Sequence, residues 1–433
     1  MPLNSMLSSF LIRNFRSILE LKLDFTYGEG KAPNRHQEQE IMPFLEGGKK
    51  QRLVPCMAFF GANASGKTNI LRSFAILKGL IRGDAPLADL FDPNRLNRKF
   101  ADTTFELTFL NGEDIFNYKV TYDSSSIKEE ALLKNGSTCF RLRDLKAEFS
   151  PALLSAAYSE EKLADIIRVE CSDGNDKQTK SFLHRIGQAY PGLNADLKTA
   201  AMYIGNLNYQ DNQHGIPLPI AVSILASTLK GDRSAALSEI TDVVRRLDID
   251  IQGIDMAQRE VDEAEILQPG AFLQINPMTG ARHTFLTTST HKDVDGKTAV
   301  FDFIKQESAG TQRLAGLMGL VLYTLRTGGL LVIDEMECSL HPLLMREIVL
   351  MFKKRSLNPR GAQLVFNTHN TDILDDSILR LSEISLVRKT LANGTIVRRL
   401  IDIRKDGEDI RNITNFRKQY LDGLYSGIPH PAL

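Results

Sequence analysis

Cysteine is scarce in this chain of 433 residues: only Cys56, Cys139, Cys171 and Cys338 occur, far apart and with no C-x-x-C pair. That spacing argues against a disulfide framework or a zinc site. It fits a reducing compartment, so a cytoplasmic location is expected. Net charge is absent as well, with Lys+Arg and Asp+Glu both at 53. The balance excludes global steering toward nucleic acid or an anionic membrane, but not a local basic groove. No apolar stretch approaches the roughly 18 residues of a membrane span. The start, MPLNSMLSSFLIRNF, lacks a basic segment followed by a long apolar run, so no secretory signal is expected. Long heptad runs are missing, which excludes coiled-coil arms, and there is no repeat or low-complexity tract. What remains is an ordinary globular composition, 42% hydrophobic and 24% charged, long enough to bury a full core.

Against that background one stretch stands out. Gly61-Ala62-Asn63-Ala64-Ser65-Gly66-Lys67-Thr68 fits G-x-x-x-x-G-K-[ST], the phosphate-binding P-loop. An apolar run of strand length, Leu53 to Phe60, precedes it. Ile70, Leu71, Phe74, Leu77 and Leu80 follow at helical spacing. The loop therefore joins a buried strand to a helix N-terminus, where backbone amides and the helix dipole face a phosphate. Gly61 and Gly66 allow backbone approach that a Cβ would hinder. Lys67 reaches the β/γ-phosphates of ATP, the Thr68 hydroxyl ligates Mg2+, and Asn63, Ala64, Ser65 and Asn69 complete the cradle. A chance Gly-rich turn is the bland reading, and both flanks weigh against it.

The rest of the chain reads as follows. Leu7 to Phe25 forms two alternating strands, expected as an antiparallel edge of the core sheet. Residues 27–52 are a polar surface loop, and Gly83 to Phe100 is loop-like. Thr103 to Leu110 and Phe116 to Tyr122 alternate around a turn, a β-hairpin signal, and Ile127 to Leu133 adds a strand. From Ser150 the character changes to helical segments such as Ala152–Val169, Lys180–Ala189 and Ala235–Leu247. Gln258–Glu265 reads as an exposed helix face. Asp248, Asp250 and Asp255 suggest a solvated turn rather than metal ligands. Ala271–Ile275, His283–Thr288 and Ala299–Ile304 are short strands that return the chain to the nucleotide-binding core.

Gly329 to Glu335 (GLLVIDE) is an apolar strand ending in two carboxylates, a Walker B pattern. Asp334 would serve Mg2+, directly or through water, and Glu335 would polarise the attacking water. Glu307-Ser308-Ala309-Gly310-Thr311-Gln312-Arg313 precedes an apolar helix. Its bland reading is an N-cap. Its sharp reading is a resemblance to the ABC-type signature, which implies that Ser308 and Gly310 meet the nucleotide of a second protomer, and both readings are compatible. Gln363 to His369 (QLVFNTH) is a further buried strand, ending in a histidine.

Together, Asn14-Phe15-Arg16-Ser17, GANASGKTN, ESAGTQRL, LLVIDE followed by SLHP, and NTH resemble the ABC/SMC-like AAA ATPases. That grouping includes RecF, the OLD ATPase module and stand-alone ATPases of bacterial abortive-infection and phage-defence systems. The ending Tyr420 to Pro429 also looks like the stand-alone group. The resemblance covers about 1–140 and 270–433. It implies an α/β fold: an ABC-type P-loop ATPase head with a β-rich first lobe and a helical insertion. The expected division is 1–149 (lobe I with Walker A), 150–267 (helical insertion) and 268–433 (lobe II with signature, Walker B and switch histidine). It implies ATP and Mg2+ as ligands, His369 as the switch histidine, a homodimer or ring of dimers, and a separate effector, a nuclease or toxin, answering a phage-derived trigger.

Departures from the family pattern accompany it. Ala64 stands where many relatives have glycine, tolerable only if its φ stays negative. Thr311 replaces the second glycine of the commoner signature, and no convincing Q-loop glutamine follows the hairpin. The stretch beyond His369 is too short for an OLD-type nuclease domain, so none is expected. The rival reading is a RecF-like DNA repair ATPase, with Lys49, Lys50 and Arg52, or Lys353, Lys354 and Arg355, touching phosphates.

Overall fold

The computed structural model describes residues 5–27, 43–46, 49–96, 99–154, 158–173, 177–189, 194–211, 213–247, 250–262, 273–275, 281–338, 340–405, 408–409 and 416–423. Most of the loop expected over 27–52, Asp248, Ser339 of the SLHP stretch and the last residues of the Tyr420–Pro429 motif lie outside them. The chain forms two compact units. One comprises Met1–Tyr209, Gly328–Glu335 and Val349–Leu433, and the other Gln210–Thr327 and Met336–Ile348. The boundary at Tyr209 falls inside the segment 150–267.

The first unit is built on a 13-stranded sheet. Its centre is parallel: Gln363–Asn367 lies between Leu330–Asp334 and Cys56–Phe60, and Cys56–Phe60 is flanked on its other side by Ile384–Thr390. Every residue of the first three is buried. Parallel strands covered on both faces read as continuous apolar runs, which is how the sequence shows them. Eight further strands continue it antiparallel, from Gly394–Arg399 through Ile18–Asp24, Ser5–Phe15, Thr103–Asn111, Asp114–Tyr122, Ile127–Lys134 and Ser137–Arg143 to Lys146–Phe149, and Asn208–Asp211 follows Leu330–Asp334 at the other edge. The helix Lys67–Arg82 buries Ile70, Leu71, Phe74, Leu77 and Leu80. Phe74 packs against Phe10 with ring centroids 4.5 Å apart and the rings tilted by 41°.

The expected hairpin forms over Thr103–Asn111 and Asp114–Tyr122. Its two-residue loop places Gly112 at φ 65, as such turns require. Buried Glu130 accepts from Tyr118 Oη, Gln178 Nε2, Ser181 Oγ and the amides of Phe182 and Leu183, at 2.6–3.0 Å. That carboxylate staples the strand Ile127–Lys134 to the start of the helix Phe182–Ala189.

In the second unit the helix Leu218–Ala226 packs on Ala309–Thr327. The fit depends on two glycines of the longer helix. A Cβ at Gly316 would lie 2.0 Å from the Ile216 carbonyl oxygen, and one at Gly319 would lie 2.7 Å from Ala221 Cβ. A four-stranded sheet joins Gly253–Glu260, Leu273–Ile275, Arg282–Lys292 and Thr298–Asp302.

Several expectations are corrected. Leu7–Phe25 is no edge: Ser5–Phe15 pairs with Ile18–Asp24 on one side and Thr103–Asn111 on the other. Alternation reports a covered face, not the number of neighbours. Gln258–Glu260 belongs to a strand rather than a helix, paired with His283–Phe285, and its exposure removes the apolar alternation that would have marked it. The strands after residue 270 form their own sheet in the second unit instead of joining the central one. Ala299–Ile304 ends as a strand at Asp302, whose carboxylate caps the helix Phe303–Gln306. Leu87–Leu90 is a short helix inside the expected loop. Over Ala152–Val169 a 3-10 turn at Pro151–Leu153 comes first, and α-helix begins only at Glu160 and passes into a π-helical turn at Ile167–Cys171.

The rival basic run is also revised. The Lys353 side chain is fully buried, donating to Glu383 Oε2 at 2.5 Å and to the Ile378 carbonyl, so it is no phosphate ligand. The side chains of Lys49 and Lys50 lie outside the described residues.

Candidate active site

The phosphate loop begins where Cys56–Phe60 leaves the sheet. At Gly61 a Cβ would lie 2.2 Å from the Val387 carbonyl oxygen, so the adjacent parallel strand leaves no room for a side chain. Gly66 opens the helix at φ +105, and a Cβ there would lie 2.0 Å from Thr395 Oγ1. Ala64 sits at φ +59, in the left-handed region, which overturns the expected negative value. The loop turns there with or without a methyl, and the alanine bears a strain of about 1–2 kcal/mol. Positive φ at Ala64 and Gly66 flanks Ser65, whose amide donates to the Ala62 carbonyl at 3.3 Å.

Around the loop is a cavity of about 550 Å3, lined by Ser17, Asn63 to Asn69, Glu335, Asn367, His369 and Lys389. Asn63 to Asn69, Glu335 and His369 therefore share one space within the first unit, whereas the expected site residues Gly61 and Asp334 do not line it. Lys67 curls over the loop and donates to the carbonyls of Gly61 and Ala62 at 2.8 and 3.0 Å. Thr68 Oγ1 donates to Asp334 Oδ1 at 3.1 Å. Asp334 is only 4% exposed and also accepts from Asn367 Nδ2 at 2.5 Å and Tyr209 Oη at 3.4 Å. Glu335 leaves the strand at φ 54, and its amide donates to Asn367 Oδ1 at 2.5 Å.

Four contributors were not singled out from sequence as site residues. Asn367 bridges the two acids. Ser17, in the turn between the first two strands, accepts from Asn69 Nδ2 at 2.7 Å, and its Oγ lies 2.7 Å from Thr395 Oγ1. Thr395 in turn donates to the Ser65 carbonyl at 3.0 Å. Lys389, the cross-strand partner of Thr395, lines the same cavity. Ser17 stood inside the quoted Asn14–Ser17 motif and Asn367 inside NTH, so both had a local signal. Lys389 and Thr395 had none.

Ser308 and Gly310 belong to the second unit and are not among the residues lining this cavity. Ser308 Oγ accepts from the Thr311 amide at 3.1 Å, so the N-cap expectation describes its local geometry. Arg313, one turn further on, donates to Cys338 Sγ at 3.0 Å and to the Gln213 carbonyl at 2.7 Å.

The donor set fits Mg2+ and a nucleoside triphosphate. A hydroxyl and a carboxylate oxygen converge at Thr68 and Asp334, hard oxygen ligands of the kind Mg2+ shares with substrate phosphates. No cluster of three or more His, Cys, Asp or Glu side chains suited to a metal occurs among the described residues. Gly66, where a Cβ would meet Thr395 Oγ1 and Ser17 Oγ, lets those side chains close on the loop, and the helix it opens has the N-terminal amides that suit a phosphate. No helix among the described residues is long and apolar enough to cross a membrane.

No curated protein matches the sequence at a significant level. Among solved structures, an Smc head bound to the C-winged helix domain of ScpA aligns with TM-score 0.42 and 14% identity, covering 90% of this chain and 96% of that one. An Smc head with an extended coiled coil, bound to the C-terminal domain of ScpA derived from Pyrococcus furiosus, gives 0.40 and 12%, covering 91% and 96%. The recombination mediator protein RecF-ATPrS of the RecFOR pathway gives 0.37 and 14%, covering 92% and 99%. The family model described as "AAA domain, putative AbiEii toxin, Type IV TA system" matches residues 56–175 and 202–375. Those two segments take in the phosphate loop, both Walker B acids and His369, and the chain belongs to that family of AAA ATPase domains.

Proposed function

We propose that this chain is the ATP-binding and ATP-hydrolysing regulatory subunit of a bacterial anti-phage system of the abortive-infection type. The carrying observation is the convergence of Lys67, Thr68, Glu335 and His369 on one cavity, with Asp334 bonded to Thr68 behind it and Asn367 clamping both acids. Lys67 and the loop amides hold the phosphates, and Thr68 and Asp334 hold Mg2+. Mg2+ held there would supply charge to offset that of the phosphates. Glu335 orients the attacking water and accepts its proton. His369, on the same wall, contacts the terminal phosphate.

In this reading two copies share each nucleotide. Ser308 and Gly310 of one face the phosphates held by Lys67 of the other, so ATP joins subunits and hydrolysis loosens them. Membership of a family whose description carries a toxin–antitoxin label supports the defence role, with a separate nuclease or toxin as the controlled effector. The helices within 150–267 are its proposed partner surface. The RecF-like alternative is not favoured, since the buried Lys353 removes part of its basic surface.

Purified protein is expected to hydrolyse ATP only with Mg2+. Glu335→Gln is expected to bind ATP normally while turnover falls about 100-fold or more. Full turnover in that variant would remove Glu335 from the mechanism. The defence role is checked by phage plating on cells carrying the native operon with wild-type or Glu335→Gln protein. Equal plating on both and on cells without the operon would discard it.

A further inference from the structure

We propose that Glu307 is a positioning residue for the trans half of the nucleotide site, clamped by Ser289 and His291 so that Ser308 and the first turn of the helix Ala309–Thr327 keep a fixed aim. The inference rests on the shared-site reading above. Glu307 Oε1 accepts from Ser289 Oγ at 2.5 Å and from His291 Nε2 at 2.6 Å. All three side chains are largely enclosed: Ser289 is fully buried, while Glu307 and His291 are 11% and 23% exposed. Ser289 and His291 are alternate residues of Arg282–Lys292 and so share a face. The His291 ring meets the edge of Phe301 on the neighbouring strand, with centroids 5.1 Å apart.

The clamp continues into the helix. Gln312 Nε2 donates to the carbonyls of Glu307 and Ile304 at 3.0 and 2.9 Å. The Ser308 cap fixes only where the helix begins. A cap does not fix which way the helix end points within its unit, whereas the Glu307 bonds tie that end to the sheet. Electrostatics give a second reason. A free carboxylate one residue from a serine that meets a phosphate would repel the nucleotide, and the two bonds hold this one away. Any ligand or protein that shifts the strand Arg282–Lys292 therefore moves Ser308 with it, which gives the four-stranded sheet control over subunit joining.

The test compares Glu307→Ala, Glu307→Gln and Ser308→Arg in the full chain. ATPase activity is read against protein concentration, ATP affinity by titration with a fluorescent nucleotide in the Glu335→Gln background, and folding by Tm. Glu307→Ala should raise the protein concentration for half-maximal activity about 10-fold while ATP affinity and Tm hold. Glu307→Gln can still accept both bonds and should restore wild-type behaviour. Ser289→Ala combined with His291→Ala should reproduce Glu307→Ala and add little to it, as members of one network do. Three outcomes overturn the inference: Glu307→Ala matching wild type while Ser308→Arg is inactive, Glu307→Ala losing ATP affinity or Tm along with assembly, or Glu307→Gln failing to rescue. Normal activity in Ser308→Arg would instead remove the shared-site reading itself, and the inference with it.

Discussion

Asn367 Nδ2 donates to Asp334 Oδ1 at 2.5 Å while Asn367 Oδ1 accepts the Glu335 amide at 2.5 Å. One amide thus holds the Asp334 carboxylate and the backbone of Glu335 in a single frame. The register makes this possible, because Ile333 lies opposite Phe366 and the following residues meet just beyond the paired stretch. Glu335 is held at φ 54, a conformation that costs about 1–2 kcal/mol in a non-glycine residue and persists only when its surroundings enforce it. Asn367→Ala is expected to lower kcat about 10–100-fold with little change in ATP affinity. Asn367→Asp should also raise the Mg2+ concentration needed for half-maximal activity, by setting a second carboxylate against Asp334. Steady-state kinetics with a Mg2+ titration checks both, and an unchanged kcat in Asn367→Ala would deny the frame any catalytic role.

Ala64 gives a prediction of opposite sign. At φ +59 a glycine carries no Cβ penalty, whereas a β-branched side chain carries a larger one. Ala64→Gly should leave nucleotide binding intact and hold or raise stability, by up to about 1 kcal/mol once the added freedom of the unfolded chain is counted. Ala64→Val should weaken both. Denaturant melts and ATP titrations of the pair decide the matter, and a valine variant as good as the glycine variant would contradict the backbone reading.

Lys389 offers a test of how the cavity is polarised. Thr68 faces Asp334, whereas the next residue, Asn69, turns toward Ser17, which in turn meets Thr395. Two sides of the cavity are thereby distinguished. Lys389 pairs across the hairpin with Thr395 and so belongs to the side away from Asp334, where the nucleoside is expected if Asp334 serves the metal. Lys389→Ala should weaken ATP and ADP alike, by about 10-fold, and Lys389→Arg should keep most of the affinity. A loss confined to ATP would place the lysine at the terminal phosphate instead.

The cysteines predict a labelling pattern and an alkaline limit. Burial pushes the Cys171 thiol up to about 12 and raises Cys56 well above its usual value, with the Glu383 charge adding to the rise at Cys56. Burial raises Cys139 as well. Only Cys338 is not buried. Alkylation of the native protein near pH 8, read by peptide mass spectrometry, should therefore mark Cys338 first. A thiol that ionises later in the fold than in the unfolded chain, where the value is about 8.5, favours the folded state fully below that lower value. The advantage shrinks as pH climbs from there toward about 12. Denaturant stability should fall over that alkaline span, and less steeply in a Cys171→Ala variant.

The features legible in the sequence are those whose chemistry is written contiguously. The loop from Gly61 to Thr68 and the strand ending in Asp334 and Glu335 each show an apolar run that stops where polar function begins, and the structure gathers them as expected. Lys389 and Thr395 were invisible because only sheet pairing brings them to Gly66. The expected negative φ at Ala64 failed because the loop's hydrogen-bonding path, not the side chain, sets that backbone. Gln258–Glu260 was misread because an exposed strand loses the alternation that identifies strands. Glu130 and Glu383, charged residues with no surface, cannot be told from solvated acids until their donors are in view.

The central sheet also dictates when the site can exist during synthesis. The strand Cys56–Phe60 emerges early from the ribosome, yet its two partners, Gln363–Asn367 and Ile384–Thr390, are made some three hundred residues later. Until then the phosphate-loop strand has apolar faces and free backbone groups but no sheet to join, the long-range pairing that slows folding and favours misassembly. A nascent chain released early, by a stalled ribosome or a nonsense codon, carries an intact Walker A sequence that has no Asp334, no Asn367 and no neighbouring strand. The strand is thereby flanked on both sides only in chains translated past Thr390, and nucleotide binding is expected of those alone.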